Sequence, residues 1–395
     1  MKPAAMSRFG IALAAGLALS FAAAAAEPRL EVAPDAAPLP VFTYARDACD
    51  RTDVPDVAAR AWRGSDGQVN LVASHAVNRR MRGPELDQVG PACDVIYRGA
   101  GYDAPEAYDD RSWLSAPYTL DGRIVHALVS NEFHGQRRPE LCPVGRYELC
   151  WRNVLVLASS IDGGAQFHRR PDGAALVAGL PYRYRGDEGR RSGIFSPSNI
   201  VLHEGQYYAF VWAEALGVQK RGACLMRTQR LDDPKAWRAF DGQDFTIRFT
   251  DPYREPVADP TRHVCAPVAS AVLTSTVRSL AWHVPTKRWI GMLSMARPKA
   301  AGAPPVAGIW WSTSPDLLRW TAPRLLWAVP LLTHLDCDRP DAYYYPSLLD
   351  PTSQSRNFET VGTQAYLYLT RLNLEGCRIT WNRDLVRLPV RIAAD

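Results

Sequence analysis

Glu132 and Glu214 are the residues of this chain best placed by type and spacing to do chemistry. Each lies at the end of a strand-like run that climbs out of a tight turn. Asp121-Gly122 leads into Arg123–Ser130 with Asn131-Glu132 behind it, and Glu204-Gly205 leads into Gln206–Ala213 with Glu214 behind it. Three more runs have the same form: Asp66-Gly67 into Gln68–His75, Thr286-Lys287 into Arg288–Met295, and Gly362-Thr363 into Gln364–Arg371. Aligned on their turns, the five runs bring His75, Glu132, Glu214, Met295 and Arg371 to equivalent places. Asp110, ahead of the second run, adds a carboxyl where the first strand of that unit should begin. Cleavage of a glycosidic bond needs two carboxyl groups, one protonated to donate to the leaving oxygen and one ionised. A third carboxyl or a histidine nearby can hold their pKa values apart.

The expected catalytic set is therefore Glu132, Glu214 and Asp110. His75, His134, Trp212 and Arg371 are the expected sugar-binding residues. His134 follows Glu132 in Asn131-Glu-Phe-His-Gly135, and Arg371 could either clamp an anionic sugar or pair with Glu214. Each has a plainer reading. Acidic residues at strand ends are commonly solvated or paired with arginine, and a lone strand histidine is more often hydrogen-bonded scaffold.

The elements that must position these residues are short strands. A turn dipeptide feeding β-branched and aromatic residues is a hairpin signal. Gly and Pro recur every few residues, and no long helical periodicity interrupts them. A second signature, a Ser/Thr/Asn-type turn, follows near Ser160, Thr228, Ser314 and Asn382. Self-similarity at this spacing predicts an all-β fold, a five-bladed β-propeller over 57–392. Its units run approximately 57–108, 109–185, 186–255, 256–335 and 336–392. Residues 133–150 and 296–307 are expected as loop insertions.

Ser160-Ile-Asp-Gly-Gly-Ala-Gln-Phe167 resembles the Asp-box of sialidases and related propellers, departing at Gln166, where Thr is usual. In that device the carboxylate caps backbone amides of a turn, so Asp162 is expected to be structural. Ser314-Pro-Asp-Leu-Leu-Arg-Trp320 resembles a strand-turn of the five-bladed glycosidases, the arabinanase/xylosidase superfamily (glycoside hydrolase family 43 and relatives) and the invertase-like enzymes. Phe195–Phe210 and Tyr344–Asp350 with Ala365–Tyr368 look like the recurring first hairpin of those enzymes. The chain lacks their clear Arg-Asp-Pro opening motif, which carries the usual base; Asp110 stands in the corresponding place. The resemblance implies an axial pocket and carbohydrate as substrate. It also admits a Ca²⁺ in the axial channel, and no other cofactor or metal is expected.

Lys2 and Arg8 precede an apolar stretch from Phe9 to Ala26 that ends in small residues, so 1–26 reads as a signal peptide. Residues 27–56, rich in Pro, Ala and Asp, read as an extended leader. A secreted or periplasmic protein without stable membrane insertion follows. In such a compartment eight cysteines with no Cys-x-x-Cys motif suggest disulfides. Eight cysteines permit 105 connectivities, and the spacing singles out only Cys142–Cys150; Cys49–Cys93, Cys224–Cys265 and Cys337–Cys377 are pairings that would each staple neighbouring segments. The formal charge of +5, or +3 without Lys2 and Arg8, is too small for a nucleic-acid footprint. Gly-x-Ser-x-Gly, His-Glu-x-x-His and Walker motifs are absent. The leading expectation is an exported glycoside hydrolase. Its alternatives are a non-catalytic glycan-binding propeller and a sialidase-like enzyme, which would need a tyrosine nucleophile and three arginines on a carboxylate.

Overall fold

The computed structural model describes Met1 and residues 26–170, 175–186, 188–300 and 302–394. The expected signal peptide therefore falls almost wholly outside the described residues. Among them the chain is all-β: the single α-helical turn is Tyr44–Asp47, and every other helical segment is a short 3₁₀ turn. No helix among the described residues is long and apolar enough to cross a membrane.

The strands form four hydrogen-bonded sheets. The ten-stranded one divides into two antiparallel groups, joined only where Ser192 and Gly193 pair in parallel with Arg152 and Asn153. Five groups result, in chain order. Each of the five repeated runs supplies the second long strand of one group: Val69–Val72, Val125–His134, Gln206–Ala213, Arg288–Pro298 and Gln364–Glu375. Residues 27–56 carry two further strands, Pro28–Val32 and Leu39–Phe42, and both pair with the last strand, Arg378–Ala394. The amino-terminal segment thus completes the carboxy-terminal sheet.

Strand periodicity of two explains how the groups pack. In Gln206–Ala213 the side chains of Ala209, Val211 and Ala213 enter one core, while Tyr208, Phe210 and Trp212 enter another. Both faces of the strand are buried, so it reads as a nearly continuous apolar run. The same division holds for Arg288–Pro298, with Ile290 and Met292 on one side and Trp289, Leu293 and Met295 on the other. Five buried clusters result, each between consecutive groups, and the last joins Leu349 and Tyr368 of the fifth group to Leu71 and Met81 of the first.

Arg60 marks the point where the groups meet. Its buried guanidinium donates to the carbonyls of Ala59, Ser115, Pro197 and Arg278 and to Ser347 Oγ, at 2.6–3.4 Å, one contact from each group. Burial without a carboxylate partner, and the nearby Arg278, lower its pKa to about 9. A guanidinium in a protein stays protonated nonetheless.

The turns behave as their residue types require. Asp121 Oδ1 accepts from the amides of Arg123 and Ile124, and Gly122 follows at φ 78°. A Cβ there would meet the Ser65 nitrogen at 2.5 Å, so Gly is needed twice over. Asp162 Oδ1 accepts from the amides of Ala165 and Gln166. Phe167 packs edge-on against Trp62, whose indole donates to the Gly163 carbonyl. Asp316 caps Leu318 and Arg319 in the same way, above buried Trp320. Four disulfides form: Cys49–Cys93, Cys142–Cys150, Cys224–Cys265 and Cys337–Cys377. This matches the pairing drawn from the sequence, and such a complement fits an extracellular or periplasmic protein.

Candidate active site

Above Arg60 lies a cavity of about 880 Å³, within the range of ligand-binding clefts. All five groups contribute to its wall: Asp56 and His75, Arg111 and Glu132, Phe195 and Trp212, Arg278 and Met295, Tyr345 and Arg383. Its floor narrows to a space of about 60 Å³ that reaches Arg60 and is lined by Asp56, Glu132, Arg278 and Tyr345. The carbonyls that converge at this floor are taken by the Arg60 guanidinium, so they do not fit a Ca²⁺ there. No cluster of three or more His, Cys, Asp or Glu among the described residues could hold a metal.

Glu132 lies in Val125–His134, opposite Arg111 of the neighbouring strand. Its Oε2 is 3.0 Å from His134 Nε2, and 16% of its side chain stays open to the cavity. Burial, and then the negative charge of Asp56, push the Glu132 carboxyl well above the ordinary glutamate range. Arg111 opposes that shift without cancelling it. Burial and the Arg111 charge depress His134 to about 3, so its ring is neutral near pH 7. The two side chains share one hydrogen bond. The raised pKa favours the protonated form, as a proton donor requires, and the carboxyl borders the cavity.

Asp56, just ahead of the first strand, is the residue that sequence reasoning missed. Its Oδ2 accepts from Trp113 Nε1 at 3.0 Å, and its Oδ1 accepts from Arg383 and Tyr345. His75 Nε2 lies 3.8 Å away, and the His75 ring is held edge-on between Trp113 and Trp381. These partners come from the second and fifth groups. In the sequence Asp56 stands in Asp53-Val-Pro-Asp56, with no turn or run to single it out.

The other expected residues divide clearly. His75, His134 and Trp212 line the cavity with Glu132. Glu214 is buried behind the wall: its Oε1 accepts from Arg191 and from Trp212 Nε1, and its Oε2 pairs with Arg221 at 2.9 Å. Asp110 is also buried, bonded by Arg137, Arg138 and the His134 amide. Burial opposes its ionisation, but Arg137 and the His134 amide outweigh it and hold the Asp110 carboxyl below the usual range. Arg371 points away from the cavity and pairs with Asp384 at 2.7 Å. Asp384 in turn accepts from the Tyr44 amide, tying the amino-terminal segment down.

The loop between Val125–His134 and Trp151–Ser160 forms one side of the cavity. The Cys142–Cys150 bridge closes it, and Tyr147 inside the bridge sits 5.1 Å from the His134 ring and stacks on Trp151.

No protein-family model and no curated protein matches this sequence. Among solved structures the chain is similar to the α-L-arabinanase of Cellvibrio cellulosa, solved with arabinohexaose. There the identity is 11%, the TM-score 0.49, and the match covers 86% of this chain and 92% of that one. The α-L-arabinofuranosidase of Lactobacillus brevis gives 10% identity, a TM-score of 0.46 and coverage of 88% and 94%. The Penicillium chrysogenum α-L-arabinanase, solved with arabinobiose, gives 11%, 0.44, and coverage of 90% and 98%. At these identities and scores the similarity assigns no activity.

Proposed function

We propose that this protein is an exported glycoside hydrolase built on a five-bladed β-propeller, with Glu132 as general acid and Asp56 as the partner carboxylate. The closed ring of buried clusters and the five-fold convergence on Arg60 support the architecture. The four disulfides support export. One observation carries the activity: a single cavity holds a carboxyl whose ionisation is opposed by burial beside a second carboxyl fixed by donors from Trp113 and Arg383. A catalytic pair needs this division of roles.

In this reading Glu132 delivers its proton to the glycosidic oxygen as the bond breaks. Asp56 supplies the negative charge that an oxocarbenium-like transition state requires, or activates the attacking water. Neutral His134 then holds the Glu132 carboxyl through one hydrogen bond. Glu214 and Asp110 act behind the wall, Glu214 by orienting Arg191 and Arg221, Asp110 by fixing Arg137 and the His134 backbone. The aromatic rings of Trp212, Trp151 and Tyr345 offer faces for sugar stacking.

A second reading, glycan binding without cleavage, is favoured by the Arg383 guanidinium bonded to Asp56, which leaves that carboxylate partly satisfied. One experiment separates the two. The oxidised protein is incubated with a panel of plant and microbial poly- and oligosaccharides, and new reducing ends and their anomeric form are followed by NMR. Cleavage by the protein that is lost in Glu132→Gln supports hydrolysis. Saturable binding with no reducing ends from any member supports the lectin reading.

A further inference from the structure

We propose that the cavity selects a saccharide bearing an oxyanion group, a uronic carboxylate or a sulfate ester, and that Arg111 and Arg278 receive that group. The inference rests on the reading of this cavity as a sugar site. Six guanidiniums line it: Arg111, Arg137, Arg191, Arg221, Arg278 and Arg383. The carboxylates that answer them are fewer. Arg383 is paired with Asp56, Arg137 shares Asp110 with Arg138, and Arg191 and Arg221 share the single carboxylate of Glu214. Arg111 and Arg278 have no ion-pair partner among the described residues.

Of these two, Arg278 is held in place, as are the paired Arg191 and Arg221. The Arg278 guanidinium stacks on the rings of Tyr344 and Tyr345 at 4.8 and 5.1 Å and donates to the Tyr344 hydroxyl. Arg191 lies over Trp151 and Phe195, and Arg221 over Trp212. Stacking fixes the plane of each fork while leaving N–H groups for a ligand. An arginine offers only donors, and a neutral sugar hydroxyl needs acceptors as well as donors. A wall richer in guanidinium than in carboxylate suits a group that accepts several hydrogen bonds and carries negative charge. The surrounding low-dielectric cleft strengthens that attraction.

The test uses full-length oxidised protein carrying Glu132→Gln, so that ligands persist, and titration calorimetry at low and high salt. The probes are trisaccharides of galacturonate and of glucuronate, their carboxyl-reduced neutral counterparts, and 6-O-sulfated forms of the neutral sugars. At low salt at least one charged probe should bind about tenfold or more tighter than its neutral counterpart, with the gap shrinking at high salt. Preference among the charged probes identifies carboxylate or sulfate as the group recognised. Equal binding of charged and neutral forms overturns anion selection and leaves the sugar site standing. Binding of none of the probes overturns both.

Arg111→Met and Arg278→Met should each remove most of the charged probe's advantage over its neutral counterpart. Arg278→Lys, which keeps the charge, should restore part of it. If either Met variant weakens charged and neutral probes alike, the arginine serves only to hold the wall and the proposal fails.

Discussion

Two glutamates, Glu132 and Glu214, occupy equivalent places at the ends of neighbouring second strands, yet they meet opposite surroundings. Glu132 faces a neutral histidine and a second carboxylate across open space. Glu214 is clamped between two arginines and an indole. By strand position the two are interchangeable. What separates them is which side chains the adjoining strands and loops bring within hydrogen-bonding distance. Burial raises the pKa of the first carboxyl despite the nearby Arg111, whereas two direct arginine partners make the second a strut.

Replacing each glutamate in turn tests this contrast most severely. Glu132→Gln keeps the shape and removes the proton, so turnover of an unactivated glycoside should fall about 10²–10⁴-fold. An aryl glycoside with a good leaving group should lose far less, because it needs little protonation. Equal loss on both substrates would show that Glu132 is not the acid.

Glu214→Gln should behave differently. It leaves Arg191 and Arg221 with a weaker partner, so KM should rise several-fold with kcat nearly kept. Both arginines are partly exposed, at 43% and 59% of their side chains, so the stability cost should be about 1–2 kcal/mol after screening. A leaving-group dependence for this variant would reverse the assignment of the two glutamates.

The Glu132 corner also depends on its loop. The Cys142–Cys150 bridge closes the loop that places Tyr147 against His134. The double variant Cys142→Ala/Cys150→Ala should lose about 2–3 kcal/mol of stability on loop-entropy grounds, measured by denaturant unfolding. It should also flatten the Glu132 pH profile. A variant as stable and as active as the parent would show that the bridge plays no part in the site.

The smallest effect concerns pH and stability. His134 is depressed to about 3 from an ordinary 6.5. A depressed group contributes stability that is present above its unfolded value and is lost as pH falls toward the folded one. Unfolding free energy should therefore decline between about pH 6.5 and 3, and His134→Gln should reduce that slope. Glu132 has the reverse sign: its raised pKa contributes below the ordinary glutamate value and is lost as pH rises through the folded value. Glu132→Gln should remove that alkaline decline, seen in melts repeated across pH.

The all-β character, the five runs and the Cys142–Cys150 bridge were legible in the chain because their causes are local or compositional. Turn dipeptides, period-two alternation and an even cysteine count leave marks within short windows. The sequence also brought Glu132, His75, His134 and Trp212 forward, since strand ends at equivalent register arrive at one rim. It could not distinguish Glu132 from Glu214, because their partners Arg191, Arg221, Asp56 and Arg111 lie on other strands and loops. Asp56 carried no local mark at all; its role comes from Trp113, Tyr345 and Arg383, which are 57, 289 and 327 residues away in the chain. Arg371 shows the same limit, having a partner in Asp384 that faces it only once the last two strands pair. Strand position follows from nearest-neighbour chemistry, whereas protonation state and counter-charge depend on contacts that exist only once distant strands and loops meet around Arg60.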